Sequence, residues 1–188
     1  MPVYAVRPAV PGDARELALV HLRSWQTAYR GIVADSFLER LPRELPQREQ
    51  RWRALLGNPG TEHVHVGTTE DGQIVGFVRG GRARPPHFGA DGELGAVYLL
   101  AEHRRNGLGR SLVAAHVRAL RAAGYRSMVV WVLSRNPARG FYERLGGERC
   151  GTAEETVGGE THGETAYVWR DLALLARELE PESRKPFY

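Results

Sequence analysis

The stretch His103-Arg104-Arg105-Asn106-Gly107-Leu108-Gly109-Arg110-Ser111 decides how this chain is read. It lies between a β-rich run at 93–100 and an amphipathic run at 108–123. In the second run the apolar positions Leu108, Leu112, Val113, Val117 and Leu120 recur near helical spacing. Glycines between a strand and a helix let the backbone approach a ligand closely and turn its N–H groups outward. The helix N-terminus adds partial positive charge, and Arg104, Arg105 and Arg110 add full charges, so the place suits a phosphate or pyrophosphate. Two familiar phosphate motifs are excluded. The Gly-Lys-Ser/Thr ending of a Walker loop is absent. Gly107-x-Gly109 has Leu112 where a dinucleotide fingerprint needs its third glycine, and the next strand closes on Leu133-Ser134 rather than on an acid. Read alone, the loop is equally a glycine-rich turn with solvated arginines.

Outward from the loop, the chain shows no repeat and no internal linker. Residues 3–7 read as a first strand. Asp13, with Glu16 three residues on, has the form of a capping box opening a helix. Leu17, Leu22, Trp25 and Tyr29 give that helix an apolar stripe, and Arg30-Gly31 ends it. Short helices are expected at 35–41 and 47–56. Residues 63–69 and 73–79 are β-rich and joined by Glu70-Asp71-Gly72, a hairpin signal. Residues 80–91 form a loop rich in Gly, Arg and Pro. Gly124 stops the helix after the glycine loop. Met128-Val-Val-Trp-Val-Leu133 is a continuous apolar run, the pattern of a strand buried on both faces. Asn136-Pro137 has the form of N-cap then N1 of a helix reaching Leu145. Strands near 149–157 and 164–170, a helix at 171–180 and a loose tail complete the order. The expected fold is α+β, with a strand–helix–strand crossover over 93–133 that places its two strands in parallel.

Composition narrows the class. With 188 residues, 42% of them hydrophobic, the chain suits one domain with a real core and is not disordered throughout. No stretch approaches twenty uninterrupted apolar residues, so no spanning helix is expected. The first residues lack a basic start followed by an apolar block, so a cytoplasmic location is the expectation. Cys150 is the single cysteine, which excludes an internal disulfide and a multi-cysteine zinc site. His63-x-His65 has no acidic or cysteine partner at metal spacing, so no metal is expected. The net charge of +4 is mild, and the basic residues are nearly all arginine, so it is not read as a nucleic-acid footprint.

Arg104-x-x-Gly107-x-Gly109 resembles the Gln/Arg-x-x-Gly-x-Gly/Ala signature of the GNAT superfamily of acyl-CoA-dependent N-acetyltransferases. Three further segments agree. Glu93-Leu-Gly-Ala-Val97-Tyr98-Leu99 is similar to that family's fourth strand. Asn136-Pro-Ala-Arg139-Gly-Phe-Tyr142-Glu-Arg-Leu-Gly-Gly is similar to its Asn-x-x-Ala-x-x-Phe-Tyr-x-x-x-Gly-Phe segment. Trp25-x-x-Ala28-Tyr29-Arg-Gly31 is similar to the first-helix end of one bacterial branch. The resemblance covers about residues 3–171. Arg139 stands where a small residue is common, and Gly147 replaces the usual Phe.

The resemblance implies a mixed, mostly antiparallel sheet of about seven strands flanked by helices, with one parallel strand pair splayed to admit acyl-CoA. It implies an acetyltransferase domain over 1–171, followed by a C-terminal helix and tail over 172–188. Acetyl-CoA would be the co-substrate. Val97, Tyr98 and Leu99 would hold its pantetheine arm by backbone, with the Leu99 N–H as oxyanion donor. The loop Arg104, Arg105, Asn106, Gly107, Leu108, Gly109, Arg110 and Ser111 would hold its pyrophosphate. Asn136 would bond the arm, and Arg139 would border the mouth. Tyr142 would be the acid that protonates the leaving thiolate, phenol and thiol having similar ordinary pKa values. Glu93 would be the base, through water. Regular strand parity puts Glu93, Val97 and Leu99 on one face, and a β-bulge, common in this strand of the family, would break that parity. Trp25, Tyr29 and Trp131 are the acceptor-side candidates.

The expected activity is direct transfer of an acetyl group to a primary amine of a small molecule or peptide. Two alternatives share the fold: a non-catalytic acyl-CoA sensor, and an RNA- or ribosome-associated acetyltransferase. No membrane partner is expected. The family often forms homodimers, to which 171–180 would contribute.

Overall fold

The protein is described here by a computed structural model covering residues 3–180. The tail beyond 180 lies outside the described residues. Seven strands form one sheet in the order β1-β2-β3-β4-β5-β7-β6. They are β1 (Ala5–Pro8), β2 (His63–Thr68), β3 (Ile74–Arg82), β4 (Gly92–Leu99), β5 (Met128–Leu133), β6 (Glu148–Val157) and β7 (Glu160–Trp169). Every neighbouring pair is antiparallel except β4 and β5, the pair joined by the crossover. The helices are α1 (Ala14–Ala28), α2 (Asp35–Arg40), α3 (Leu45–Gly57), α4 (Leu108–Ala122), α5 (Arg139–Arg144) and α6 (Leu172–Leu179). Among the described residues no helix is long and apolar enough to cross a membrane.

The two faces of the sheet are covered by different helices. His21 of α1 packs on Phe77 and Tyr98, whereas Leu112 of α4 and Leu99 meet over Gly76. Since 76 and 77, like 98 and 99, point to opposite faces, α1 covers one face of β3 and β4 and α4 the other. The main core lies between sheet and helices, and includes Leu17, Phe77, Leu108, Leu112, Leu120, Met128 and Val130. The apolar run at 128–133 is a strand over that same span, and five of its six residues are buried.

Three local expectations change. Asp13 does not cap α1; its carboxylate pairs with Arg7 at 2.7 Å and accepts the Val10 N–H at 2.8 Å. Glu16 likewise faces away from a capping box and accepts from the Ile74 N–H of β3 at 3.3 Å. The regular helix after Asn136 starts at Arg139, because the first turn is closed by shorter bonds, Arg139 N–H to Asn136 O and Gly140 N–H to Pro137 O.

The feature that matters most is a bulge in β4. Gly81, Arg79 and Phe77 alternate along one face of β3, and their partners are Glu93, Ala96 and Tyr98. Gly95 is the extra residue. The expectation from regular parity is therefore corrected: Glu93 lies on the face of Ala96 and Tyr98, toward α1, and Val97 and Leu99 lie on the other.

Candidate active site

The β4–β5 pairing is short. Gly92 pairs with Met128 and Glu93 with Val129, and then the two strands part. Leu100 donates its N–H to Val75 O on β3 at 2.9 Å. By alternation, Val97 and Leu99 turn their peptide groups away from β3, into the gap that β5 vacates. The Leu99 carbonyl accepts from Arg104 Nε at 3.2 Å. Tyr98 sends its side chain to the α1 face, where its hydroxyl shares a 2.9 Å hydrogen bond with that of Tyr29.

The glycine loop closes one end of the gap. Gly107 adopts a φ of +83° and forms the N-cap of α4 without a side-chain cap. Ser111 closes the first turn by donating its N–H to Gly107 O at 3.1 Å. Ahead of it, the amides of Leu108, Gly109 and Arg110 have no acceptor among the described residues, which leaves the donors that a helix N-terminus offers an anion. The side chain of Leu108 is buried, seated on Gly67, so its share in the site is its amide. Asn106 and Arg105 are exposed, and Arg105 has a φ of +61°. Two arginines behave differently from expectation. Arg104 is spent on the Leu99 carbonyl and on Thr27 Oγ1 at 3.0 Å. Arg110 reaches the Glu178 carbonyl at the end of α6. Arg105 alone of the three has no protein partner among the described residues. The donor set, free amides beside an exposed guanidinium, fits a phosphate or pyrophosphate.

Helix α5 closes the gap from the β5 side. Asn136 is buried, and its Oδ1 accepts the Ala138 N–H at 2.9 Å, closing the turn that leads into α5, whose N-cap is Ala138 rather than the expected Asn136. Phe141 and Leu99 both lie within 3.7 Å of where a Cβ on Gly109 would stand, so α5, β4 and the start of α4 converge there. Tyr142 is buried against Phe141, Tyr167 and Trp169. Burial pushes its phenol well above the ordinary range, with a smaller push from Tyr29. The close match of phenol and thiol assumed from ordinary values is thereby corrected: this hydroxyl holds its proton more tightly. Arg139 is pinned rather than free at a mouth. It donates to Tyr167 Oη at 3.0 Å and to the Ser134 carbonyl at 2.9 Å.

On the α1 face of the gap, Glu93 is held by a residue that reads in the sequence as part of a solvated loop. Arg84 donates its backbone N–H and its Nε to Glu93 Oε2, both at 3.1 Å, and a third bond goes to Oε1. The Arg84 side chain is 77% exposed and that of Glu93 only 6%. Glu164, half-buried, lies close by. Burial pushes its carboxyl up, and Glu155 and Glu93 add to this while Arg84 opposes it. Trp25 and Tyr29 close α1 with rings 4.6 Å apart, and both face Tyr98. Trp131 stands further along β5 and packs on Phe88 of the 83–91 loop at 5.6 Å. His21, which sequence reasoning passed over, stacks on Tyr98 at 5.3 Å; burial, aided by Arg48 and Arg79, holds its imidazole down to about 3. No cluster of three metal-ligating side chains occurs among the described residues.

Known proteins agree with this arrangement. Residues 86–157 match the family model described as FR47-like protein. The chain is 36% identical over 175 residues to the uncharacterized N-acetyltransferase YuaI of Bacillus subtilis, covering 92% of this chain and 96% of that protein. It is 30% identical over 149 residues to an L-methionine sulfoximine/L-methionine sulfone acetyltransferase of Pseudomonas aeruginosa, covering 77% and 80%. The fold is similar to that of the PaiA N-acetyltransferase of Thermoplasma acidophilum, solved in complex with coenzyme A. That likeness has a TM-score of 0.66 at 19% identity and covers 86% of this chain and 98% of that one. With its parted parallel strands, its uncapped α4 N-terminus and these relatives, the chain belongs to the GNAT superfamily of acyl-CoA-dependent N-acetyltransferases.

Proposed function

We propose that the protein moves an acetyl group from acetyl-CoA to a primary amine of a small molecule or peptide, by direct attack while both substrates are bound. The observation that carries this reading is the gap itself. β4 leaves β5 after two residue pairs and offers the peptide groups of Val97 and Leu99 beside free amides at the start of α4. In this reading the amides of Leu108, Gly109 and Arg110, with Arg105, hold the pyrophosphate. Val97 and Leu99 hold the pantetheine arm as a strand partner would, and the Leu99 N–H donates to the carbonyl oxygen as it gains charge. Asn136 orients the arm from the far side.

Glu93 takes the proton of the attacking amine through water. Its fixed, buried carboxylate on the α1 face supports this, and Arg84 sets its orientation. Tyr142 donates to the sulfur as it leaves; its hydroxyl is protonated before the step, and burial makes it a weaker acid than a free phenol. Trp25, Tyr29 and Trp131 border the acceptor. The relative that acts on L-methionine sulfoximine and L-methionine sulfone supports a small-molecule acceptor.

The test combines a calorimetric titration of acetyl-CoA with thiol detection over an amine panel that begins with L-methionine sulfone. Micromolar acetyl-CoA binding and coenzyme A release with at least one amine are expected. Tyr142→Phe is expected to lower kcat by about 10²-fold, with acetyl-CoA affinity within about threefold of wild type. Absence of acetyl-CoA binding by folded protein overturns the reading.

A further inference from the structure

The β4 bulge has a cost in hydrogen bonding that one buried side chain meets. At the bulge the Glu93 carbonyl lies beside Gly80, within reach of α4. There it lies 3.0 Å from Nε2 of His116, with both groups buried. A carbonyl only accepts, so Nε2 carries the proton. Nδ1 is buried with no partner among the described residues, as the bare nitrogen of that tautomer. Burial, with smaller contributions from His65 and His63, holds the imidazole down to about 4 against the opposing carbonyl bond, so the ring is neutral.

Two more observations show that the place is built for this bond. His116 is fully buried, and the helix positions around it, Leu112, Val113, Val117 and Leu120, are apolar. Across the sheet, a Cβ on Gly80 would lie 2.0 Å from the Glu93 carbonyl oxygen and 2.8 Å from His116 Nε2. Glycine at position 80 leaves the space in which carbonyl and imidazole meet.

We propose that His116 is a positioning residue: its Nε2–H holds the Glu93 carbonyl beside Gly80, keeps the β4 bulge in register, and so decides which peptide groups of β4 face the gap. The inference rests on the reading that acetyl-CoA pairs with β4 in that gap. Without the donor, the buried carbonyl is unpaired, and the strand regains a partner by returning Glu93–Gly95 to a regular ladder. A one-residue slip turns every later side chain to the other face and turns the Val97 and Leu99 peptides from the gap to β3. Helix α4 then serves the site twice, through its N-terminal amides and, about two turns on, through His116.

The test titrates acetyl-CoA into wild type, His116→Leu and His116→Gln at about pH 7, well below each melting temperature. Gln keeps an N–H donor of similar reach. In the expected result His116→Leu raises the dissociation constant about tenfold or more, and His116→Gln stays within about threefold of wild type. Equal losses in both variants, or a His116→Leu constant within threefold, overturn the inference. Loss of folding stability without loss of affinity also overturns it. No binding by wild type is a different failure, that of the acetyl-CoA reading itself. If His116→Leu does not fold, the ring nitrogens of wild type decide. Their ¹⁵N shifts are expected to show Nε2 protonated and Nδ1 bare, and the opposite tautomer overturns the inference.

Discussion

Strand β4 has two edges with different fates. Toward β3 it keeps seven residue pairs along its whole length, interrupted only at the bulge; toward β5 it keeps two and then lets go. Hydrogen-bonding groups are the same on both edges, so the difference comes from what stands across from them. On the β3 edge the partner backbone stays in reach, and at Gly80 a side chain would clash with the Glu93 and Gly95 backbone. On the β5 edge the partner strand turns away, so that the peptide groups of Val97 and Leu99 face a gap, where the Leu99 carbonyl takes Arg104 Nε instead of a strand partner. One edge is filled by a strand and the other is open, and the bulge sets the phase between them.

The largest expected way to disturb this comparison is acid. His21 lies on one face of β4 and His116 on the other, and burial holds them down to about 3 and about 4. In the folded protein both stay neutral, whereas the unfolded chain protonates them near 6.5. The unfolded state thus binds more protons below that value, and stability falls as pH drops from about 6.5 toward 4. Together they are expected to remove about 3–4 kcal/mol between about pH 7 and pH 5, read by urea unfolding at each pH. A flat profile over that range would mean that the two imidazoles are not buried neutral.

A smaller effect separates two glycines. A Cβ on Gly80 meets Glu93 and Gly95 backbone at 2.0 and 2.8 Å, whereas a Cβ on Gly95 has nothing nearer than 3.5 Å. Gly80→Ala is expected to cost about 3 kcal/mol and Gly95→Ala less than about 1, by urea midpoint. Equal costs would put the constraint elsewhere than in the strand approach. The smallest effect concerns the loop arginines. Arg105→Ala is expected to weaken acetyl-CoA about threefold, while Arg110→Ala, bonded to α6, is expected to leave the dissociation constant within error and to lower the melting temperature slightly. Calorimetry on the two variants side by side separates them.

How much of this is legible in sequence follows from how local each signal is. The apolar run at 128–133 becomes a strand with those bounds because five consecutive β-branched, aromatic or long apolar residues precede Leu133 and nothing polar interrupts them. The Glu70-Asp71-Gly72 turn is as expected, closed by Thr69 and Gln73. The bulge is not legible in the residues themselves, since Glu93-Leu-Gly-Ala-Val97 reads as ordinary alternation; the family resemblance raises it, and the register with β3 places the extra residue at Gly95. The fates of Arg104, Arg110 and Arg139 are hidden for the same reason, because their partners come from α1, α6 and β7. Asp13 reads as a cap by spacing, yet a guanidinium offered by Arg7 outcompetes the helix amides. Arg84 carries no motif, and its role depends on a loop folding back over nine residues onto Glu93.

Phe88 gives that loop a mechanical meaning. Its ring fills the place where a side chain on Gly151 of β6 would stand, and it leans on Trp131 of β5. The sheet resembles two leaves hinged by the two pairs between β4 and β5, and Phe88 is a rivet through the far leaf, fixed to a loop that springs from the near one. The ring thereby ties the loop that carries Arg84 to β5 and β6, on the far side of the line where β4 and β5 part.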